Sequence, residues 1–151
     1  MAIRKLCVNE VTTIASTFAE TVTCTDPAHT PVVGAGDECG VAVYNVTANL
    51  GATPPTLSFS YDAQFEYQYV QQGATFQDFC NVVGSSGSVT LPDSLTLCCG
   101  PTVPLVTSSA TCDASAITTT ATSVSGPVTL SFTVTNLCTQ TIICVDDTVC
   151  P

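Results

Sequence analysis

The 151-residue chain is predicted to be all-β: a single antiparallel β-sandwich, jelly-roll-like, with a short N-terminal arm. Three observations predict it. First, 26 Thr and 19 Val fill 45 positions, and β-branched side chains lose little freedom on an extended backbone. Second, apolar and polar residues alternate with period two in many short runs. Third, turn residues separate those runs at nearly regular spacing. No apolar run at three-and-four spacing carries a helix cap, and no second domain or internal repeat is indicated.

In chain order, residues 1–9 read as a connector arm holding both cations, Arg4 and Lys5, and one cysteine. Residues 10–151 read as the sandwich. Strand-like runs fall at 18–24, 41–46, 56–61, 65–70, 88–91, 95–99, 117–123, 127–135 and 141–145. The clearest is 127–135, where Val128, Leu130, Phe132 and Val134 share one face and Thr129, Ser131, Thr133 and Thr135 the other, the pattern of a half-buried strand. Turns are expected at Asp26-Pro27, Gly34-Ala35-Gly36-Asp37, Pro54-Pro55, Gly84-Ser85-Ser86-Gly87, Pro92-Asp93, Gly100-Pro101 and Gly126-Pro127. The Ser/Thr-rich stretch 107–125 is read as a surface strand pair in preference to a linker. Phe59, Tyr61, Phe65, Tyr67 and Tyr69, all at odd positions, are read as core or a cross-strand ladder.

Charge narrows the function. Two cations against twelve acids give a formal net charge of -10, so no row of phosphates could be neutralised and nucleic acid is not expected as a partner. No apolar stretch reaches the roughly 20 residues of a membrane span, so no membrane insertion is expected. Catalytic residue types are sparse, and the expectation is no enzyme, no cofactor and no metal. His29, the one histidine, falls in a loop and reads as solvated. Ser85-Ser86 lacks the order of a nucleophile elbow. Asp37-Glu38 and Asp146-Asp147 lack the spaced ligands of a cation loop. Asn45-Val46-Thr47 matches a glycosylation acceptor, but in an apparent strand it is read as chance.

Ten cysteines, Cys7, Cys24, Cys39, Cys80, Cys98, Cys99, Cys112, Cys138, Cys144 and Cys150, read as disulfides, since no zinc knuckle repeats. Disulfides place the protein in an oxidising compartment, extracellular or at a cell or spore surface, although the N-terminus shows no recognisable signal peptide. Cys138, Cys144 and Cys150 are spaced by six residues, so in extended structure they tend to one face. Adjacent Cys98 and Cys99 point apart in a strand, so at least one has a distant partner. Cys7, on the arm, either pins that arm to its own body or reaches a neighbouring subunit.

The layout of a cysteine-bearing connector, here residues 1–9 with Cys7, followed by a Thr/Val-rich single-domain body with further cysteines, resembles the self-assembling subunits of endospore appendages. The resemblance implies an eight-stranded jelly roll, edge-to-edge augmentation of sheets between subunits, and Cys7 as donor of an intermolecular disulfide. Cys24, Cys138, Cys144 and Cys150 are then the first acceptors to test, and Cys39, Cys80, Cys98, Cys99 and Cys112 the remaining disulfide candidates. A physical argument runs beside it: open sheet edges template further strands unless guarded by lysine, and the body has none. The expected function is a structural subunit of a disulfide-cross-linked filament or surface layer, its partners identical copies. The alternative is a monomeric, disulfide-stapled secreted adhesin or binding module.

Overall fold

A computed structural model describes residues 3–92 and 105–146, with side chains over 13–92 and 105–135. Seven strands form it: β1 (Ile3–Cys24), β2 (Val32–Asn49), β3 (Thr56–Gln71), β4 (Ala74–Thr90), β5 (Leu105–Cys112), β6 (Thr118–Thr120) and β7 (Ser123–Asp146). A single 3-10 turn, Ala114–Ala116, precedes β6; Asp113 Oδ1 caps it by accepting from the Ser115 amide at 3.0 Å. One sheet has the order β1-β7-β5, with β6 also paired to β7; the other is the meander β2-β3-β4. All pairings are antiparallel, and the chain changes sheet between β1 and β2 and again between β4 and β5. The two sheets pack face to face, as the alternation predicts.

The core sits between the two central strands. On β3, Leu57, Phe59, Tyr61, Ala63, Phe65 and Tyr67 are buried at every second position. On β7, Val124, Val128, Leu130, Phe132 and Val134 do the same, with the residues between them half-buried. Each large side chain taken out of water contributes roughly 1.5–3 kcal/mol. Phe59 bridges the sheets, its ring 4.8 Å from Phe132 and 5.0 Å from Phe18. Position 126 belongs to the same inward row of β7 but carries no side chain, and the Phe65 ring occupies that slot.

Several glycine clusters expected as turns lie inside strands. Gly84 sits within β4 at φ +75, where the register slips between Tyr61 and Ala63. Gly36, Asp37 and Glu38 stand opposite Glu66 alone, within β2. Gly126-Pro127 is part of β7. The reasons differ: Gly84 supplies the positive φ of a bulge, Gly36 gives room to Glu66 within a bulge, and Gly126 pairs in regular register opposite Val22 and gives room to the Phe65 ring. The true β3–β4 turn is Gln72-Gly73, both with positive φ (52° and 77°), a two-residue hairpin loop. Short runs expected as separate strands consequently merge, 56–61 with 65–70 in β3 and 127–135 with 141–145 in β7.

At the N-terminus, residues 3–9 of the expected arm are extended and belong to β1, which runs from Ile3 to Cys24 and pairs with β7. Beyond a register shift between Thr12 and Ile14, ten rungs from Ile3↔Asp146 to Thr12↔Leu137 have no third strand beside them among the described residues. This two-stranded ribbon extends about 30 Å, at 3.4 Å per residue.

Replacing Gly126 by alanine puts a Cβ onto the buried Phe65 ring. The expected cost is about 1–3 kcal/mol, read from the urea unfolding midpoint.

Candidate functional site

The residues singled out for assembly are cysteines and strand edges. Val22 and Cys24 continue the inward row of β1, and Cys80 lies on β4 opposite the buried Phe65. Their Cα atoms come to 6.0 Å, and Cys24 and Cys80 form a disulfide across one flank of the sandwich. Cys39 on β2 and Cys112 on β5, with Cα atoms 6.2 Å apart, form a second disulfide across the opposite flank. Each bridge joins the two sheets at one lateral side. Cys24, expected among the intermolecular acceptors, is therefore committed inside its own chain, because the inward periodicity of β1 carries it to Cys80.

Three further cysteines lie on the ribbon. Cys7 is opposite Ile142, Lys5 opposite Cys144, and Val11 opposite Cys138. Directly opposed positions share a face, and so do positions two apart, which puts Cys7, Cys138 and Cys144 on one face of the ribbon. None is opposite another. Cys7 and Cys144 are diagonal neighbours, a relation with Cα separations of about 7–8 Å, beyond the usual disulfide span of roughly 4.4–6.8 Å. Cys98, Cys99 and Cys150 lie outside the described residues.

Among the described residues the flanks between the disulfides are strand edges with no further strand paired to them. β1 and β4 border one flank, where Phe18 covers Gly87. β2, β5 and β6 border the other, where the Val32 amide donates to the Ala121 carbonyl at 2.9 Å. β2 breaks register three times, after Val32, Ala35 and Tyr44, and such bulges blunt an edge. β4 slips once, and β5 pairs without interruption. β5 carries no charged residue and β4 only Asp78. Val83 on β4 is 75% exposed and Leu105 at the start of β5 is 56% exposed.

His29 is in a loop, as expected, but it is not freely solvated. Its ring stacks on Tyr69 with centroids 3.9 Å apart, its Nε2 lies 3.5 Å from Asp78, and its backbone amide donates to the Tyr67 hydroxyl at 3.0 Å. No nucleophile is paired with it among the described contacts. Of the aromatic set, Phe59, Tyr61, Phe65 and Tyr67 are core and Tyr69 is only half-buried. Asn45, of the acceptor pattern, occupies a bulge of β2 with φ 52. Asp37 offers its backbone amide to Glu66 Oε1 at 2.8 Å. Asp146 ends β7, and Asp147 lies outside the described residues.

Sequence reasoning missed three carboxylates that act structurally. Glu66 is buried on the outer face of the β2–β3–β4 sheet, covered by the bulge around Gly36, where a side chain would collide with it. The glycine inside a strand run was the available signal. Asp62 Oδ1 accepts from the Tyr44 hydroxyl at 2.9 Å and the Gly84 amide at 2.8 Å, tying the bulge of β4 to β2. Glu20 accepts from the Tyr61 hydroxyl at 2.7 Å. Burial, and then the hydrogen bond to Glu20, push the Tyr61 phenol up to about 12. Burial also raises Tyr67, and the bond to Asp62 raises Tyr44. No group of three metal-ligating side chains exists among the described residues.

No protein-family model, curated protein or solved structure matches this chain.

Two outcomes follow from this geometry. Cys39→Ser with Cys112→Ser opens one flank and removes a closure across 73 residues of chain; stability should fall by about 2–4 kcal/mol in denaturant titration, with peptide mapping of the parent showing Cys24–Cys80 and Cys39–Cys112. Alkaline titration followed at 295 nm should show one tyrosine ionising near pH 12, absent in Tyr61→Phe. The folded value of Tyr61 lies above the ordinary 10.0, so its contribution to stability is complete below pH 10 and lost as pH rises through about 12.

Proposed function

We propose that this protein is a structural subunit that self-assembles into a disulfide-cross-linked extracellular filament or surface layer by β-strand augmentation. One observation carries the reading: among the described residues β4 and β5 are sheet edges on opposite flanks, with a single charge between them. An unguarded edge presents a row of backbone donors and acceptors that another strand can pair. Because the two edges are on opposite flanks, β4 of one copy joined to β5 of the next is a heterologous contact, which propagates into a filament where the rotation does not close.

Sulfur then fixes the assembly. Cys7 is the donor, and Cys138 and Cys144 are the acceptors that the ribbon's register favours, since no rung sets two cysteines opposite each other. Cys150 remains a further acceptor candidate. The two intrachain disulfides support an oxidising, extracellular location. A spore surface is the specific setting suggested by the likeness in layout to endospore appendage subunits.

A second reading, a monomeric secreted adhesin or binding module, is favoured by an open depression of about 480 Å³ on the outer face of the β2–β3–β4 sheet. Gly40, Ala42, Asp62, Gln64, Asn81 and Val83 line it. One carboxylate oxygen of Asp62 is already occupied there by Tyr44 and Gly84, which leaves its other oxygen and the side chains of Gln64 and Asn81 to meet a ligand.

Electrophoresis without reductant should show ladders or material too large to enter the gel, collapsing to 15.5 kDa on reduction. Single particles in oxidising buffer, seen by electron microscopy, would refute the assembly. Val83→Lys with Ser109→Lys places a cation on each open edge at exposed positions; the unfolding midpoint should barely move, because exposed substitutions cost within about 0.5 kcal/mol, while filaments shorten or vanish. Cys7→Ser should leave filaments that fall apart in denaturant without reductant.

A further inference from the structure

The outer face of the β2–β3–β4 sheet is dented where β2 carries almost no side chain. Gly40 pairs with Gln64 and Ala42 with Asp62, and Gln64 pairs in turn with Asn81 on β4. Alternation along each strand sends these positions outward, opposite to the buried odd positions of β3. The small residues at 40 and 42 leave the open depression of about 480 Å³, a volume within the roughly 300–1,000 Å³ of ligand sites. Glycine serves a different end at 40 than at 36. At Gly36 the bulge of β2 lies on the buried Glu66, which already holds the Asp37 amide. At Gly40 the Gln64 side chain crosses the bare backbone, its Nε2 3.0 Å from where a Cβ would stand, and Gln64 stays exposed. Asn81 is exposed as well. Tyr44 stands on the same face two residues beyond Ala42, 37% exposed, and its hydroxyl donates to Asp62 Oδ1 at 2.9 Å. That bond and the one from the Gly84 amide hold the carboxylate in place and leave Oδ2 to accept from a ligand.

We propose that this depression binds a neutral saccharide. A sugar ring is apolar where its C–H bonds point and hydroxylated around its rim, and the depression offers both kinds of partner. Ala42, Val83 and the ring of Tyr44 supply apolar surface, and the negative face of an aromatic ring suits C–H hydrogens. Asp62 Oδ2 accepts from a hydroxyl in a charge-assisted bond. The amides of Gln64 and Asn81 can each donate to one hydroxyl and accept from another. Charge sets the class of ligand. Asp62 is the one charged residue lining the depression, in a chain of net charge -10, so an anionic ligand is repelled. A lone carboxylate falls well short of the roughly 6–8 oxygens that a calcium ion takes. A peptide strand is read by the free backbone groups of an edge, whereas β3 beneath the depression is paired on both sides. This site is independent of the self-assembly reading: it lies on a sheet face, so it stays open in a single chain and in one augmented at β4 and β5.

The test is saturation-transfer NMR on the full chain, which reads the ligand's protons and works for single particles and polymers alike. The neutral probes are maltose, cellobiose, lactose and chitobiose, and the anionic probe is sialyllactose. At least one neutral disaccharide should receive saturation, with a Kd on the order of 1 mM for a small ligand on an open surface. Gly40→Leu fills the depression and should abolish the transfer. Gln64→Ala and Asn81→Ala each remove an amide and should weaken binding about fivefold, the worth of one hydrogen bond. Both side chains are exposed, so the unfolding midpoint should hold in these two variants, and they carry the test if Gly40→Leu destabilises the fold. Transfer to none of the neutral disaccharides overturns the proposal. So does transfer that is equal in the wild type and all three variants, or stronger to sialyllactose than to lactose. Electrophoresis without reductant, run on the same sample, keeps the two readings apart: transfer without ladders sinks self-assembly alone, and ladders without transfer sink the saccharide site alone.

Discussion

The structure depends on the pairing of the two ends of its chain. β1 and β7 share 21 rungs, from Ile3↔Asp146 to Cys24↔Val124, and β7 is the centre of its sheet. Without that pairing, the row Val124, Val128, Leu130, Phe132 and Val134 would lose the sheet that aims it at β3. Such contacts span nearly the whole chain, so loop-closure entropy is lost before the ladder returns any stability, and folding is expected to be slow. The disulfides act on the same weakness. Each ties a strand of one sheet to a strand of the other, at opposite flanks, and constrains the unfolded chain most where its loops are longest.

The same pairing relates the body to the proposed assembly. β1 and β7 outrun the strands they pack against, so the inward face continues beyond the core as a ribbon. In the proposed assembly the sandwich supplies lateral edges and the ribbon three cysteine positions. A body with no lysine and few charges is a poor design for a solitary sheet protein, whose edges need guarding, and a coherent one for a protein whose edges are meant to be occupied. Three of the acids it does carry are engaged within the fold: Glu66, Asp62 and Glu20 each hold a backbone amide or a tyrosine hydroxyl, and Glu66 is buried.

Much of this was legible in the chain. The run 127–135 showed its buried face residue by residue, and the odd-numbered aromatics of β3 were readable as core, with only Tyr69 left half-buried beside His29. Turns were read unevenly: Asp26-Pro27 and Pro54-Pro55 do separate strands, whereas Gly84 serves a bulge that asks for the same positive φ as a turn and Gly36 makes room for Glu66 inside a strand. The true turn at Gln72-Gly73 lacked the Asn-Gly or Asp-Gly signature. The terminal strand was hidden for another reason: Arg4, Lys5 and Glu10 interrupt its alternation, and what makes residues 3–12 a strand is a partner more than a hundred residues away.

What the sequence determined alone is local: β-branched composition and period-two burial specify strands, and cysteine number with the shortage of charge specifies an oxidised, weakly guarded sheet protein. Tertiary structure decided which strands are neighbours, and with that the pairing of Cys24 to Cys80 and Cys39 to Cys112, and the common face of Cys7, Cys138 and Cys144. The division is physical. Periodicity along a strand is set by the backbone of that strand, whereas register and partner are set by side chains contributed from the far end of the chain.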